Sequence, residues 1–319
     1  AELYCRMRKI LITGVCGFVA QHLIRHLLQR EPDSELFGVD VAPVCPWENM
    51  GVRYRRLDLI DKESLAAFLA ELAPDWIIHL ASVSSVSASW QKPVESFINN
   101  TNIFLNIVEA LHRLGLKTRL LSVGSSEEYG NYPPEKMPLR EEYELHPNNP
   151  YSVARVSQEL LSRLYAHSYG LDIVITRSFN HIGPGQRDTF VVPSFVRQLV
   201  ELSRHNGRGV LHVGNIEIIR DFLDVRDVAD AYYRLLRTGR SGEIYNVCSG
   251  RGTRLRTVID TIAGFLGVDV DIQVDPARVR PADNLVIIGD NSKLRAATGW
   301  EPRHTLEATL KEMIRSLDA

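Results

Sequence analysis

No apolar run in this sequence approaches the roughly 20 residues that a membrane-spanning helix requires. An excess of one charge is also lacking, because 37 lysines and arginines stand against 39 aspartates and glutamates. This balance argues against a nucleic-acid partner and against binding to a membrane surface. Residues 1–8 carry no apolar segment of the kind found in secretory signals, so we expect a cytoplasmic protein.

Cysteine is scarce, with four residues in a chain of 319. Cys5, Cys16, Cys45 and Cys248 form no Cys-x-x-Cys pair and no spacing typical of a metal site. The sequence therefore predicts reduced thiols and no bound metal. Hydrophobic residues, in contrast, make up 45% of the chain, which is enough for a sizeable core at this length.

Short apolar runs alternate with amphipathic helical segments over the first half of the chain. Strands are predicted at residues 9–13, 35–40, 52–57, 75–80, 118–123 and 171–176, and helices at 18–30, 61–72, 94–114 and from 151 onward. Such alternation predicts a parallel sheet with right-handed crossovers. We expect an α/β fold, with a Rossmann-type doubly wound parallel sheet in residues 7–178. A smaller C-terminal α+β substrate-binding lobe is expected in 179–319, with some later segments returning to the first domain.

A glycine-rich turn lies between the first predicted strand and the first predicted helix. Gly14 permits a tight turn, Gly17 allows close approach of the backbone to a pyrophosphate, and Ala20 permits close packing of the helix on the sheet. The free N–H groups of the helix would then face the phosphates. An ordinary strand–helix turn remains the alternative for this motif alone.

Two acidic residues strengthen the prediction of a dinucleotide site. Asp40 ends the second predicted strand, where a carboxylate can accept both ribose hydroxyls and would repel a 2′-phosphate. It therefore favours NAD over NADP as the cofactor. Asp58 follows the third predicted strand, within reach of an adenine amino group. Each acid has a plainer alternative, as a helix cap or a solvated charge.

Tyr151 and Arg155 lie one helical turn apart and so share a helix face. A neighbouring cation stabilises a phenolate, and such a tyrosine can exchange a proton with an alcohol or ketone oxygen. Ser125, at the end of the fifth predicted strand, can hydrogen-bond the same oxygen. The alternative is a surface tyrosine beside a solvated arginine.

These motifs together resemble the extended short-chain dehydrogenase/reductase family, over essentially the whole chain. The glycine-rich turn, the run at 79–82, Ser125 before Tyr129 and the Tyr151–Arg155 pair all fall in the family's order. The runs at 124–130, 177–186, 213–215, 220–222, 224–227, 245–250 and 280–281 resemble its nucleotide-sugar branch. The resemblance implies cofactor contacts from Gly14, Gly17, Phe18, Val19, Asp40, Asp58, Leu59, Leu80, Ala81, Ser82, Asn100, Tyr151 and Arg155. It implies substrate contacts from Ser126, Asn180, Val191, Pro193, Arg220 and Arg280.

The resemblance also implies a reaction and an assembly. It implies reduction of the C4 ketone of GDP-4-keto-6-deoxy-D-mannose to GDP-D-rhamnose with NAD or NADP, and no metal. Ser125, Glu127, Tyr151 and Arg155 would be the catalytic residues. A homodimer would form through the helices near 94–114 and 151–169.

Three features of the sequence depart from the family's pattern. Arg155 stands where the family has lysine, residues 103–104 are Ile-Phe where it has Gly-Thr, and Ser82 replaces alanine. We expect Arg155 to keep the electrostatic role while its contact with the cofactor ribose shifts. The bulk at 103–104 is expected to change the packing beside Asn100.

Glu127 leaves the reaction open. In related 4,6-dehydratases the corresponding glutamate removes a sugar proton, yet related reductases carry it as well. The candidate functions are thus a reductase, a redox-neutral NAD-dependent 4,6-dehydratase or 4-epimerase, and a non-catalytic binding protein.

Overall fold

The computed structural model describes residues 7–279 and 284–317. In these residues the strands are β1 (Lys9–Thr13), β2 (Glu35–Asp40), β3 (Val52–Arg56), β4 (Trp76–His79), β5 (Arg119–Ser125), β6 (Asp172–Ser178), β7 (Asn180–Ile182), β8 (Arg208–Val213), β9 (Ile219–Asp224), β10 (Ile244–Val247), β11 (Gly252–Arg254), β12 (Asp269–Val274) and β13 (Val286–Ile287). The helices are α1 (Phe18–Arg30), α2 (Lys62–Leu72), α3 (Val86–Gln91), α4 (Pro93–Phe97), α5 (Ile103–Leu114), α6 (Pro150–Tyr169), α7 (Val191–His205), α8 (Val225–Thr238), α9 (Leu255–Leu266), α10 (Ser292–Thr298) and α11 (Leu306–Ser316).

The main sheet confirms the predicted doubly wound parallel architecture. It has seven strands in the order β10-β6-β5-β4-β1-β2-β3, and each neighbouring pair is parallel. The chain winds outward from β1 toward β3 and then outward in the opposite direction from β4. Ligands of doubly wound sheets bind where this reversal opens a crevice at the carboxyl ends of the strands. Here that crevice lies between β1 and β4.

Both faces of the main sheet are covered by helices. Ile10 and Ile12 of β1 enter one core with α1 and α8, whereas Leu11 enters the other core with α2, α5 and α6. Alternate residues of one strand are therefore buried on opposite sides, which explains why the strands read as continuous apolar runs. The two cores fix the strand ends that carry the candidate site.

The later part of the chain contributes to both the main sheet and a smaller lobe. Helices α7, α9 and α11 pack around β8, which pairs in parallel with β12. Strand β9 pairs with β7, β11 and β13. In contrast, β10 returns to the main sheet beside β6, and α8 packs against α1. The boundary at residue 178 stays a prediction.

The helix predicted at 94–114 has a wider turn within it. It begins as α4, continues through a π-helical turn at Ile98–Asn102 and becomes α5. Within that turn the buried Asn100 donates from Nδ2 to Ser96 O at 2.7 Å and accepts from Val83 N at 3.1 Å. None of the helices in the described segments is long and apolar enough to cross a bilayer.

Candidate active site

The glycine-rich turn has the geometry that a pyrophosphate site requires. Gly14 adopts φ +68°, and a Cβ atom there would lie 2.7 Å from the backbone nitrogen of Ala81. Gly17 precedes α1 with an extended backbone, and no side chain in the described residues caps that helix. The first-turn N–H groups, at Phe18 and Val19, are thus left for a ligand at the positive end of the helix dipole. These residues fit a dinucleotide phosphate.

Asp40 lies at the mouth of the same turn. Its Oδ2 accepts the backbone N–H of Cys16 at 3.1 Å, and its Oδ1 accepts that of Ala42 at 3.2 Å. The half-buried carboxylate is thus fixed beside the turn, and its remaining lone pairs can accept hydroxyl groups. Burial, followed by the charge of Asp40, raises the pKa of the Cys16 thiol to about 12. That thiol therefore brings no negative charge to the phosphate site.

Asp58 follows β3, one strand away from Asp40. Its Oδ1 accepts the backbone N–H of Ile60 at 3.0 Å, and the side chain is otherwise exposed. Leu59 beside it is buried in the core between α2 and α5. The local hydrogen bond agrees with the plainer alternative for Asp58, while its exposure leaves the carboxylate accessible to an adenine.

The segment after β4 is tied to the glycine-rich turn through Thr13. Thr13 Oγ1 lies 2.8 Å from His79 Nδ1 and accepts the backbone N–H of Ala81 at 3.3 Å. Leu80, Ala81 and Ser82 are half-buried along the crevice. Asn100 is fully buried, and its amide group hydrogen-bonds to this segment and to its own helix. It therefore shapes the crevice wall.

His79 packs against Phe104, one of the two bulky residues that stand where the family has Gly-Thr. Phe104 is fully buried, and its ring centroid lies 5.4 Å from that of His79. Burial, with a further contribution from the charge of Arg155, lowers the pKa of His79 to about 3. The bulk at residues 103–104 thus packs against a neutral histidine at the end of β4.

The predicted catalytic residues lie at the end of β5, in the turn that follows it, and in the first turns of α6. Asn149 caps α6 by accepting the backbone N–H of Ser152 at 2.8 Å, which fixes the first turn that carries Tyr151. Tyr151 is 7% exposed and Arg155 is 4% exposed. The Arg155 guanidinium carbon lies 5.2 Å from the centre of the Tyr151 ring. The alternative of a surface tyrosine with a solvated arginine is therefore wrong.

Arg155 has a partner that the sequence analysis did not identify. Its Nη1 donates to Gln158 Oε1 at 2.6 Å and to Val123 O at 3.2 Å. Gln158 in turn donates from Nε2 to Ser122 Oγ at 2.9 Å. The guanidinium is thus attached to β5, and its Nε finds no acceptor in the described residues. Arg155 and Gln158 are three residues apart on one helix, and this spacing is the sequence feature that could have identified Gln158 as the partner.

Ser125 is the last residue of β5 and caps a short turn of 3-10 helix, Ser126–Tyr129, that contains Glu127. Ser125 Oγ accepts the backbone N–H of Glu127 at 3.2 Å, which anchors the hydroxyl oxygen at the strand end. The half-buried Glu127 accepts from Asn149 Nδ2 at 3.3 Å. Its carboxylate therefore connects the end of β5 to the start of the helix that carries Tyr151.

Most of the predicted substrate residues that the structure describes lie on β7, α7 and β9, whereas Ser126 follows β5 of the main sheet. Arg220 is held by Asn284 O at 2.7 Å and Ile219 O at 3.0 Å. Asn180 is exposed on β7, while Ser126 is buried at the strand end. Arg280 lies outside the described residues.

A cavity lies between α7 and β8. It measures about 450 Å³ and is lined by Asp188, Ser194, Arg197, Gln198, Glu201, Leu202, Val210 and Arg278. Val191 and Pro193 stand in the first turn of α7, immediately before the lining residue Ser194. In the described residues, no group of three or more His, Cys, Asp or Glu side chains is arranged to hold a metal ion.

The glycine-rich turn at the sheet reversal and the buried tyrosine–arginine pair at the start of α6 have the arrangement expected of the extended short-chain dehydrogenase/reductase class. The family model described as GDP-mannose 4,6 dehydratase matches residues 11–313. The chain belongs to this family. It is therefore an NAD(P)-dependent enzyme of nucleotide-sugar chemistry.

Individual relatives cover the chain almost completely. The GDP-6-deoxy-D-mannose reductase of Pseudomonas aeruginosa is 35% identical over 307 residues, which is 96% of each chain. RMD from Pseudomonas aeruginosa, solved with NADPH, superimposes with a TM-score of 0.81 and 32% identity, over 97% of this chain and 98% of that one. The UDP-glucose 4-epimerase of Thermus thermophilus, solved with NAD, gives a TM-score of 0.87 and 29% identity, over 98% and 99%.

Proposed function

We propose that this enzyme reduces the C4 ketone of GDP-4-keto-6-deoxy-D-mannose to give GDP-D-rhamnose, using a nicotinamide dinucleotide. The observation that carries this proposal is the 35% identity to a GDP-6-deoxy-D-mannose reductase over 96% of both chains. The buried Tyr151–Arg155 pair beside Ser125 supports it, because carbonyl reduction needs a proton donor at the oxygen.

Gly14, Gly17 and Asp40 would hold the nicotinamide dinucleotide, which when bound would supply the hydride for C4. Tyr151 donates its phenolic proton to the C4 oxygen and becomes a phenolate. Ser125 donates a hydrogen bond to the same oxygen. The buried charge of Arg155, 5.2 Å from the tyrosine ring, stabilises the phenolate until solvent returns the proton.

The nucleotide diphosphate is assigned to the crevice between the main sheet and the smaller lobe. Arg220 and Arg280 would pair with the pyrophosphate, for which arginine gives bidentate contacts. Asn180 would contact the sugar or phosphate, and the first turn of α7 at Val191 and Pro193 would contact the base. The cavity beside that turn offers room for a nucleotide base.

A redox-neutral 4,6-dehydratase is the second candidate. The specific observation in its favour is Glu127, a half-buried carboxylate held by Asn149 beside Ser125 and Tyr151. Such a carboxylate is placed to remove a sugar proton during elimination of water. The name of the matching family model points the same way.

The experiment is a reduced-nicotinamide absorbance assay on the purified protein. GDP-4-keto-6-deoxy-D-mannose is supplied with NADH and, separately, with NADPH. Stoichiometric loss of absorbance with a reduced sugar product supports the reductase. No loss, with NAD retained through purification and turnover of GDP-mannose, supports the dehydratase instead. Tyr151→Phe is the matched control, because it removes only the hydroxyl group, and it should lower kcat by roughly 100-fold or more.

Asp40 leads us to propose that NADH is preferred over NADPH. With NADPH, the fixed carboxylate of Asp40 would lose the hydrogen bond that it can accept from the 2′-hydroxyl of NADH, and it would repel the 2′-phosphate. We expect kcat/KM to favour NADH by roughly 10-fold or more, and Asp40→Ser to reduce that ratio. An unchanged ratio in Asp40→Ser would contradict this role.

A homodimer is proposed from the outer faces of α4 and α6. Val94 and Phe97 on the first helix and Val153, Leu160 and Leu164 on the second are exposed. Their apolar surface would be buried if two copies paired these helices. Light scattering after size exclusion should give twice the mass of 36.0 kDa. Leu160→Glu should give the monomer.

A further inference from the structure

A buried carboxyl group that the proposed mechanism does not use lies directly behind Ser125. Glu128 is 0% exposed, and its Oε1 accepts the backbone N–H of Ser125 at 2.7 Å. A Cβ atom on residue 124 would lie 2.4 Å from that oxygen. The strand end therefore has room for the carboxyl group only because residue 124 is glycine.

The second oxygen of Glu128 has no donor. Its Oε2 is buried and meets no hydrogen-bonding partner in the residues that the structure describes. The neighbouring carboxylate, Glu159, accepts both of its hydrogen bonds from Arg177, each at 2.8 Å. If Glu128 were ionised, two buried negative charges would share one buried cation. If Glu128 is protonated, its hydroxyl donates to Glu159 and the group of three carries no net charge.

The surroundings favour the protonated form. Burial, and then the charge of Glu159, raises the pKa of Glu128 well above its ordinary value. Arg177 acts in the opposite direction, but its guanidinium is shared with Glu159, with the Tyr129 ring at 4.7 Å and with Glu141 O at 3.1 Å. The charge of Arg177 is thus already shared among three other partners.

We propose that Glu128 is a protonated positioning residue that fixes the backbone of Ser125 and thereby aims the Ser125 hydroxyl at the reacting carbonyl oxygen. This inference rests on the proposed reduction, in which that hydroxyl donates to the C4 oxygen. Because Ser125 Oγ accepts from Glu127 N at 3.2 Å, its own proton can point toward a ligand. A misplacement of about 1 Å in such a group can cost on the order of 100-fold in rate.

Two substitutions separate the protonated carboxyl from its alternatives. Glu128→Gln keeps an oxygen for the Ser125 N–H and supplies a donor to Glu159, without a charge. Glu128→Leu has similar bulk but leaves the Ser125 N–H buried without an acceptor. We expect Glu128→Gln to keep kcat within about 3-fold of the wild type. We expect Glu128→Leu to lower kcat by roughly 10- to 100-fold while KM for the sugar and NADH binding change little.

An infrared measurement tests the protonation state without any sugar substrate. The spectrum of the wild-type protein at neutral pH minus that of Glu128→Gln should contain the C=O stretch of a protonated carboxyl group. Glu141 and Asp221, whose pKa values are also raised by burial, are present in both proteins and cancel in the difference. The proposal is overturned if this difference band is absent. It is also overturned if Glu128→Gln loses as much kcat as Glu128→Leu, or if Glu128→Leu keeps the wild-type kcat.

The two proposals fail in different ways. Absence of ketone reduction by the wild type contradicts the proposed function, while the infrared band still decides the state of Glu128. If Glu128→Leu does not fold, kcat of Glu128→Gln and the band decide the question.

Discussion

Acid should destabilise this protein partly through one histidine in the core of the site. His79 ends β4, lies 2.8 Å from Thr13 Oγ1 through Nδ1, and has no partner for Nε2 in the described residues. Its pKa falls from the ordinary 6.5 to about 3, first through burial and then through the charge of Arg155. The folded protein therefore resists protonation of this ring over several pH units.

The sign of the effect follows from the two protonation equilibria. Above pH 6.5 the ring is neutral in both states, so it adds no pH dependence. Between pH 6.5 and about 3 the unfolded chain binds a proton that the folded chain does not, so the free energy of unfolding falls as pH falls. At about 1.4 kcal/mol per pKa unit, the loss by about pH 5 is roughly 2 kcal/mol.

The assay compares the wild type with His79→Asn, in which an amide replaces Nδ1 beside Thr13 and nothing titrates. Urea unfolding gives the free energy of unfolding of each protein at about pH 5, 7 and 8. The variant should be less stable at neutral pH, because packing against Phe104 is lost, yet it should lose about 2 kcal/mol less on acidification. Between pH 7 and 8 the free energies of unfolding of the two proteins should change in parallel. If both proteins lose the same free energy of unfolding between pH 7 and 5, His79 does not carry this pH dependence.

Two further predictions concern glycine and arginine. Gly130 and Gly115 both have positive φ, but a Cβ atom on Gly130 would lie 1.6 Å from His146 O whereas Gly115 has open space. Thermal unfolding should therefore show Gly115→Ala costing about 1 kcal/mol and Gly130→Ala several times more. For Arg155, steady-state kinetics should show Arg155→Lys keeping kcat within about 10-fold and Arg155→Met losing about 100-fold or more, since the methionine removes the charge beside Tyr151. Equal losses in the two arginine variants would contradict an electrostatic role.

Features set by local chemistry were predictable from the sequence. Asp61 caps α2 by accepting the backbone N–H of Ser64 at 3.0 Å, as its position before an amphipathic run predicts. Helix α1 and strands β1 and β2 have the predicted ends, because glycine, proline and charged residues bound them. The parallel sheet follows from apolar runs too continuous for a half-exposed strand. Asp40 ends β2, as predicted, because it follows such an apolar run.

Features that depend on distant segments were predicted only in outline or not at all. A return of later segments to the first domain was expected, but the pairing of β10 with β6 across most of the smaller lobe was not. Glu128 was not identified from the sequence, because the groups that act on it, Glu159 and Arg177, come from two other elements. The π-helical turn at Asn100 arises from hydrogen bonds to a segment 17 residues away. In each case the interacting residue is brought into contact by tertiary packing, which produces no periodic pattern in the sequence.

The two main departures from the family pattern meet at one residue. Phe104 packs on the His79 ring, and the charge of Arg155 acts on the same ring. A protonated His79 would repel the buried Arg155, so the neutral ring avoids placing a second positive charge beside a permanent buried cation. Phe104 contributes by removing the ring from water, and Gln158 contributes by giving the guanidinium an acceptor. The bulky pair on α5 and the arginine on α6 therefore act on the same histidine, and Gln158 Oε1 and Val123 O accept hydrogen bonds from the guanidinium beside Tyr151.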